Sequence, residues 1–195
     1  MKNNYFFKKR FSNIYKRASK KSEVTSQILY GEKFNILSKN KKWIKIKLLF
    51  DNYMGYIEDK DYVTEHNPKY KIYSLKANIY NKNNKKIKTF LPFGSQIEEI
   101  NKKKNYIEFE KNKWVKKKDI KIINHKEKNF NRIFKLFLNT KYFWGGKTFK
   151  GIDCSALLQM FYYYNQYFYP RDTVDQIKYL KRKIMKKNLK TEILY

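Results

Sequence analysis

The chain has 195 residues, enough for one ordinary domain or for two to three small ones. An apolar fraction of 42%, with 18 tyrosines and 15 phenylalanines, supplies a core and excludes a disordered chain despite a formal net charge of +29. The charge raises a nucleic-acid reading, yet only Arg10, Arg17, Arg132, Arg171 and Arg182 among the 46 basic residues carry the bidentate fork that base and phosphate readers favour. The lysines run through the whole length beside Asn, Ile, Tyr and Phe, residue types that share A/T-rich codons. The expectation is salt-sensitive, non-specific contact with anionic surfaces and no specific nucleic-acid partner. One cysteine excludes an internal disulfide framework.

The N-terminus, Met1 to Arg10, has charge but only a three-residue apolar run, far short of a signal-peptide core, and no run anywhere approaches a membrane span. As written the chain is expected in the cytoplasm, or in the periplasm or cell wall if a further N-terminal segment precedes it. From about Phe11 to Val63 the pattern is that of short strands: Gln27-Ile-Leu-Tyr30, Phe34-Asn-Ile-Leu37 and Trp43-Ile-Lys-Ile-Lys-Leu48, the last alternating with period two. Gly31, the lysine run to Lys42 and Asp51-Asn52 punctuate them as turns, and several short strands with close turns predict a small barrel.

A second copy follows. Gly31-Glu-Lys-Phe-Asn-Ile-Leu aligns with Gly94-Ser-Gln-Ile-Glu-Glu-Ile, and the same shift lays Trp43-Ile-Lys-Ile over Tyr106-Ile-Glu-Phe. Asn13-Ile-Tyr15 recurs as Asn78-Ile-Tyr80, and Tyr56-Ile57 as Trp114-Val115. Two copies predict tandem small domains, 1–64 and 69–124, with a linker near Thr64 to Pro68; a solenoid needs at least three repeats. From Glu127 the texture is helical, with Phe130, Ile133, Phe134, Leu136 and Phe137 on a wide apolar face, and the third segment is 127–195. The tyrosine clusters at 162–164 and 167–169 read as packing. Residues 177–187 read as a basic, partly amphipathic helix with a solvated lysine face, membrane binding being the weaker reading.

The chemistry concentrates in Tyr142-Phe-Trp-Gly-Gly-Lys-Thr-Phe-Lys-Gly-Ile-Asp-Cys-Ser155, which holds Cys154 and three of the six glycines. Ala156-Leu-Leu-Gln-Met-Phe161 predicts a helix with Leu157, Leu158 and Phe161 on its apolar face. Cys154 then sits at the helix N-terminus with Asp153 as cap, a position that stabilises a thiolate. A lone cysteine reads first as a small buried hydrophobe, but a cluster of turn and polar residues is not what core packing calls for.

This stretch resembles the NlpC/P60 cysteine peptidases on Tyr142, Trp144-Gly-Gly146, Gly151-Ile-Asp-Cys-Ser155 and Pro170-Arg-Asp-Thr-Val-Asp-Gln176. Both repeats resemble bacterial SH3 modules, the first through Gly31-Glu32 and Asp51 to Ile57, the second degenerate. Two such modules leading into an NlpC/P60 domain is the arrangement of the γ-D-glutamyl dipeptidyl-peptidases. The resemblance implies an α+β fold, two small SH3-like β-barrels followed by the helical, nucleophile-bearing half of a papain-like domain. It implies hydrolysis of γ-D-glutamyl-diamino acid bonds in peptidoglycan-derived peptides, with no metal or cofactor. By resemblance Cys154 is the nucleophile and Tyr142 lies beside it, helping to bind the reacting carbonyl. Asp153 holds the substrate's free amine, Ser155 and Thr173 line the site, and Glu32 and Tyr53 close the pocket over that amine. Ala156 stands where many members have glycine.

A thiol nucleophile needs a base, normally a histidine. His66 and His125 both read as solvent-exposed linker residues, and in the family the histidine follows the cysteine on strands of a papain-like sheet. Residues 192–195 fall about where the first of those strands begins. The expectation is therefore a truncated record or a decayed gene: a chain inactive as written, with an exposed apolar patch on its helical segment. The rival readings are a non-catalytic wall-peptide binding module and a basic nucleic-acid binder.

Overall fold

The computed structural model describes residues 4–192, with the backbone alone described for 185–192. Residues 193–195, and with them the end of the expected strand start, lie outside the described residues. Among the described residues, seventeen short strands and three α-helices succeed one another: two β units, a helix, a short hairpin and two further helices, the first two helices packing on both units.

The first β unit is one antiparallel sheet in the order Val24–Leu29, Phe11–Tyr15, Met54–Glu58, Trp43–Leu48, Lys33–Asn40, Asn4–Phe7, Tyr62–Val63. Its core is Phe7, Ile14, Ile28, Phe34, Ile44, Ile46, Leu48 and Ile57. Along Trp43–Leu48 the isoleucines and Leu48 are buried while Lys45 and Lys47 are half-exposed, so the period-two pattern became a strand with one face to the core. The predicted turn forms on Asp51, whose Oδ1 accepts the Tyr53 N–H at 2.9 Å, with Asn52 left-handed at φ 63°.

The repeat seen in the sequence is a repeat of topology. The second unit orders Lys86–Pro92, Lys76–Tyr80, Lys113–Lys116, Tyr106–Glu110, Asn101–Lys102, which are the strands aligned with the first five of the first unit. A separate three-stranded sheet, Gln96–Ile97, Tyr70–Ile72, Ile120–Ile122, completes it. The continuous strand Lys33–Asn40 of the first unit, with a register shift between Ile36 and Ser38, becomes two pieces in the second, broken at 98–100. The break lies where Glu98 leaves the ladder to accept the Asn67 N–H and to meet His66 and Lys8. Neither unit closes into a barrel: the first ends on Val24–Leu29 and Tyr62–Val63, and the second is split into two ladders. Gly31 and Gly94, aligned in sequence, both hold positive φ, 77° and 82°. A Cβ at Gly31 would stand 2.1 Å from the Gln96 carbonyl oxygen, so the first unit rests on the second at this turn.

The three helices are α1 (Phe130–Leu136), α2 (Cys154–Tyr164) and α3 (Thr173–Glu192). A third core joins α1 and α2 to the β units through Leu29, Tyr73, Phe93, Ile133, Phe137, Met160, Tyr163 and Tyr164. The buried face of α2 is Ser155, Ala156, Gln159, Met160, Tyr163 and Tyr164; of the predicted face, Leu157 and Phe161 are half-buried and pack at the edge of this core. Gln159 turns inward because its amide donates to Asp51 Oδ2 (2.9 Å) and to the Tyr169 carbonyl (3.1 Å); Leu158 faces out. Of the tyrosine clusters, Tyr163, Tyr164 and Tyr169 are core, whereas Tyr167 and Phe168 are exposed. Val174, Ile177, Leu180 and Ile184 make an exposed apolar row on α3, matching the expected patch. Among the described residues no helix is long and apolar enough to cross a membrane.

Candidate active site

Chain geometry delivers Cys154 to the first position of α2, exposed, at the mouth of a cavity of about 450 Å³. The run before it is a tight hairpin, Lys147–Thr148 with Gly151–Ile152, and Tyr142 bridges to Ile152. Its glycines are required by close approach. Gly145 has φ 74°, and a Cβ there would lie 2.5 Å from the Val24 carbonyl oxygen; one at Gly151 would lie 2.3 Å from Phe143 Cβ.

Asp153 caps α2 as predicted and does more. Its Oδ1 accepts the Ala156 N–H (2.8 Å), the Ser155 hydroxyl (3.0 Å) and Arg171 Nη1 (3.0 Å). Its Oδ2 accepts the Gly145 N–H (2.9 Å) and Arg171 Nη2 (2.6 Å). Arg171, its side chain 1% exposed, also donates to Ser155 Oγ (2.8 Å) and, through Nε, to Ser26 Oγ of the first β unit (3.1 Å). This carboxylate is saturated by five donors, and its geometry is that of a fork-to-carboxylate pair fixing the nucleophile's turn.

The cavity is composite. Lys16, Glu23, Thr25, Tyr53 and Met54 come from the first β unit, and Trp144, Asp153, Cys154, Ser155, Arg171, Asp172, Thr173 and Val174 from the helical segment. Trp144 Nε1 donates to Glu23 Oε1 at 3.0 Å, and Lys16 pairs with Glu23 Oε2 at 3.0 Å. Those two hydrogen bonds, then the Lys16 charge, hold the Glu23 carboxyl below the usual range. Tyr53 donates to the Thr25 carbonyl at 3.4 Å, and burial raises its hydroxyl pKa. Asp172 is the cavity's one carboxylate with neither a hydrogen bond nor an ion pair to a described residue. Burial pushes its pKa up, the neighbouring Arg171 opposing.

Of the sequence-predicted residues, Cys154, Asp153, Ser155, Thr173 and Tyr53 meet at this cavity. Tyr142 and Glu32 do not. Tyr142 is exposed and outside the lining. Glu32 is buried against the Lys147 ammonium (3.1 and 3.2 Å) and the Leu29 N–H (2.9 Å), an ion pair that joins the first unit to the hairpin. The two histidines are not exposed linker residues. His66 is buried, with Nδ1 3.0 Å from Glu98 Oε2 and Nε2 3.0 Å from the Gln96 carbonyl; burial and then Lys8 lower its pKa. His125 is half-buried, with Nδ1 2.9 Å from the Tyr164 hydroxyl. Neither lines the cavity. Arg171 and Asp172 stood in the sequence motif without a role of their own; the structure buries Arg171 and leaves Asp172 at the cavity. Among the described residues no cluster of three or more His, Cys, Asp or Glu is arranged to hold a metal.

Comparison with known proteins finds two family profiles and a similar fold. The profile of the NlpC/P60 family matches residues 139–192, and that of the bacterial dipeptidyl-peptidase SH3 domain matches residues 14–61. The fold is similar to the crystal structure of an NlpC/P60 family protein from Bacillus cereus ATCC 10987, with a TM-score of 0.75 at 14% identity, over 89% of this chain and 76% of that one. NlpC2 from Trichomonas vaginalis aligns over 90% of this chain and 71% of its own at 16% identity, with a TM-score of 0.35. A comparison with curated proteins finds no match.

Proposed function

Residues 139–192 belong to the NlpC/P60 family, of cell-wall peptidase or amidase kind, and residues 14–61 are a bacterial SH3 segment; from that premise we propose that the chain binds cell-wall peptides and attacks them through Cys154. The observation that carries the reading is the exposed cysteine at the first position of α2, opening on a cavity walled on one side by the first β unit. The Cys154 thiolate attacks the carbonyl carbon of a γ-D-glutamyl-diamino acid bond, the amide C–N bond breaks as the thioester forms, and the leaving amine takes its proton from water or from an added acid such as imidazolium. Helix α2 directs its unpaired N-terminal N–H groups toward the charge that develops there.

Amine recognition falls to Asp172. The Asp153 carboxylate already accepts five hydrogen bonds and Glu23 is held by Lys16 and Trp144, which leaves Asp172 as the carboxylate able to meet a substrate ammonium. Asp172 is exposed at the cavity, and the raised pKa of its carboxyl is what an incoming ammonium would relieve. With neither histidine at the cavity, the residues described supply a nucleophile without a base, which favours peptide binding without turnover as the second reading.

The test is hydrolysis of a γ-D-glutamyl-diamino acid peptide by the 195-residue chain, with and without added imidazole. The expected result is no release unaided and release with imidazole that vanishes in Cys154→Ala. Unaided turnover overturns the account of the base, and imidazole-dependent release that survives Cys154→Ala overturns the nucleophile. Peptide binding with no release under either condition selects the second reading.

A further inference from the structure

The positive charge is not spread evenly over the pairing partners available to it. Residues 69–122 contain sixteen lysines, no arginine and five acidic residues. The acids are largely occupied: Glu98 with His66, Lys8 and the Asn67 N–H, Glu99 with the Tyr70 hydroxyl, Glu108 with the Asn112 N–H, Glu110 with Lys113 and Tyr30. Two lysine triplets remain, Lys102 to Lys104 and Lys116 to Lys118, with no carboxylate within ion-pair distance among the described residues.

The fold brings the triplets together. Tyr106 pairs with Lys116 across the ladder, and the Lys117 N–H donates to the Asn105 carbonyl at 2.9 Å. Beside the second triplet lies a groove of about 290 Å³ lined by Asn105, Tyr106 and Lys116 to Lys118, with Lys102 to Lys104 outside its lining. Two ammonium stems are ordered over rings: Lys103 Nζ lies 4.5 Å from the Trp114 ring centroid, and Lys116 Nζ 5.1 Å from that of Tyr80. Asp119 is the acid beside the groove; it is half-buried, with its pKa raised by burial and Lys118 opposing.

We propose that this groove of the second β unit is a docking surface for a linear, base-free phosphodiester polymer, separate from the Cys154 cavity. Lysine ammoniums meet phosphates as point charges, without the planar geometry an arginine imposes, so the surface reads spacing of negative charge and not bases. The rings do not favour single-stranded nucleic acid, which needs open faces for stacking. Tyr80 and Tyr106 stand edge-to-face at 5.3 Å with Lys116 over them, and Trp114 is buried. The surface would tether the chain along such a polymer while the cavity works on peptide.

The experiment measures binding of the full chain to a glycerol-phosphate oligomer at several salt concentrations, with a thymidine oligonucleotide of equal phosphate number beside it. The variant K116Q/K117Q/K118Q is compared with K21Q/K41Q/K42Q, which removes three exposed charges from the first β unit, and circular dichroism checks both folds. The groove variant should lose at least about tenfold in affinity near 0.1 M salt, with a salt slope shallower by about 2, while the control changes less than about twofold. K102Q/K103Q/K104Q should follow the groove variant. Equal losses in groove and control variants would show delocalised charge and overturn the proposal, as would tighter binding of the thymidine oligomer.

Discussion

Lys71 offers a prediction whose sign is easy to get wrong. Its side chain is buried, and the ammonium has no carboxylate partner: Nζ donates to the Tyr164 carbonyl at 2.5 Å and lies 4.1 Å from the Tyr164 ring centroid. Burial first, and the Lys126 charge second, lower its pKa from 10.5 to about 8. The unfolded chain therefore binds more protons than the folded one between about pH 8 and 10.5, and the contribution of this group to stability rises with pH across that window. A gap of about 2.5 pH units corresponds to about 3 kcal/mol. Between pH 7.5 and 9.5 about 2 kcal/mol of it is recovered as Lys71 loses its proton in the fold. Lys71→Met removes the charge outright and gives up one hydrogen bond of about 1 kcal/mol, so at pH 7.5 the variant should be more stable than the parent by about 1–2 kcal/mol. Urea unfolding of both proteins at the two pH values isolates the group and its coupling to Lys126 and His125, because titrations that do not sense Lys71 cancel in the difference. The advantage of the variant should shrink by about 2 kcal/mol at pH 9.5; a pH-independent difference, or a variant less stable at pH 7.5, would refute the reasoning.

Two further substitutions probe the buried ion pairs. Arg171→Met leaves Asp153 buried and without its fork, and should cost about 3–5 kcal/mol in urea unfolding, with Asp153→Asn/Arg171→Met recovering a substantial part; a loss below about 1 kcal/mol would remove Arg171 from its structural role. Lys147→Met strands Glu32 in the same way, whereas Lys147→Met/Glu32→Leu should return to within about 1 kcal/mol of the parent, measured by the same unfolding transition. A double variant as unstable as the single one would show that the pair itself, not the stranded charge, stabilises the junction.

What the sequence revealed depended on how local the signal was. Asp153 as cap and Cys154 as first helical residue are set by neighbours three residues apart, and both were legible. The repeat was legible because Gly31 and Gly94 need the same left-handed turn and the strands around them alternate alike. The inward face of α2 was not, since the amide of buried Gln159 is received by Asp51, 108 residues earlier, together with the Tyr169 carbonyl. Glu32 and His66 were misplaced for the same reason: their partners, Lys147 for one and Glu98 for the other, belong to other units of the fold. Barrel closure likewise depends on edge strands whose pairing no local pattern specifies. The distinction of Asp172 is its lack of a hydrogen-bonding or ion-pair partner for its carboxylate, which follows from the commitment of Arg171 to Asp153 and which no local pattern encodes.

The most direct test of the central claim is covalent labelling of Cys154 by a chloromethyl ketone built on a γ-D-glutamyl dipeptide, read by intact mass. Two forms are compared, one with a free N-terminal amine and one acetylated. The account predicts single modification at Cys154, at least about tenfold faster for the free amine, and loss of that preference in Asp172→Asn. Equal rates for the two forms, or a preference untouched by Asp172→Asn, would contradict it.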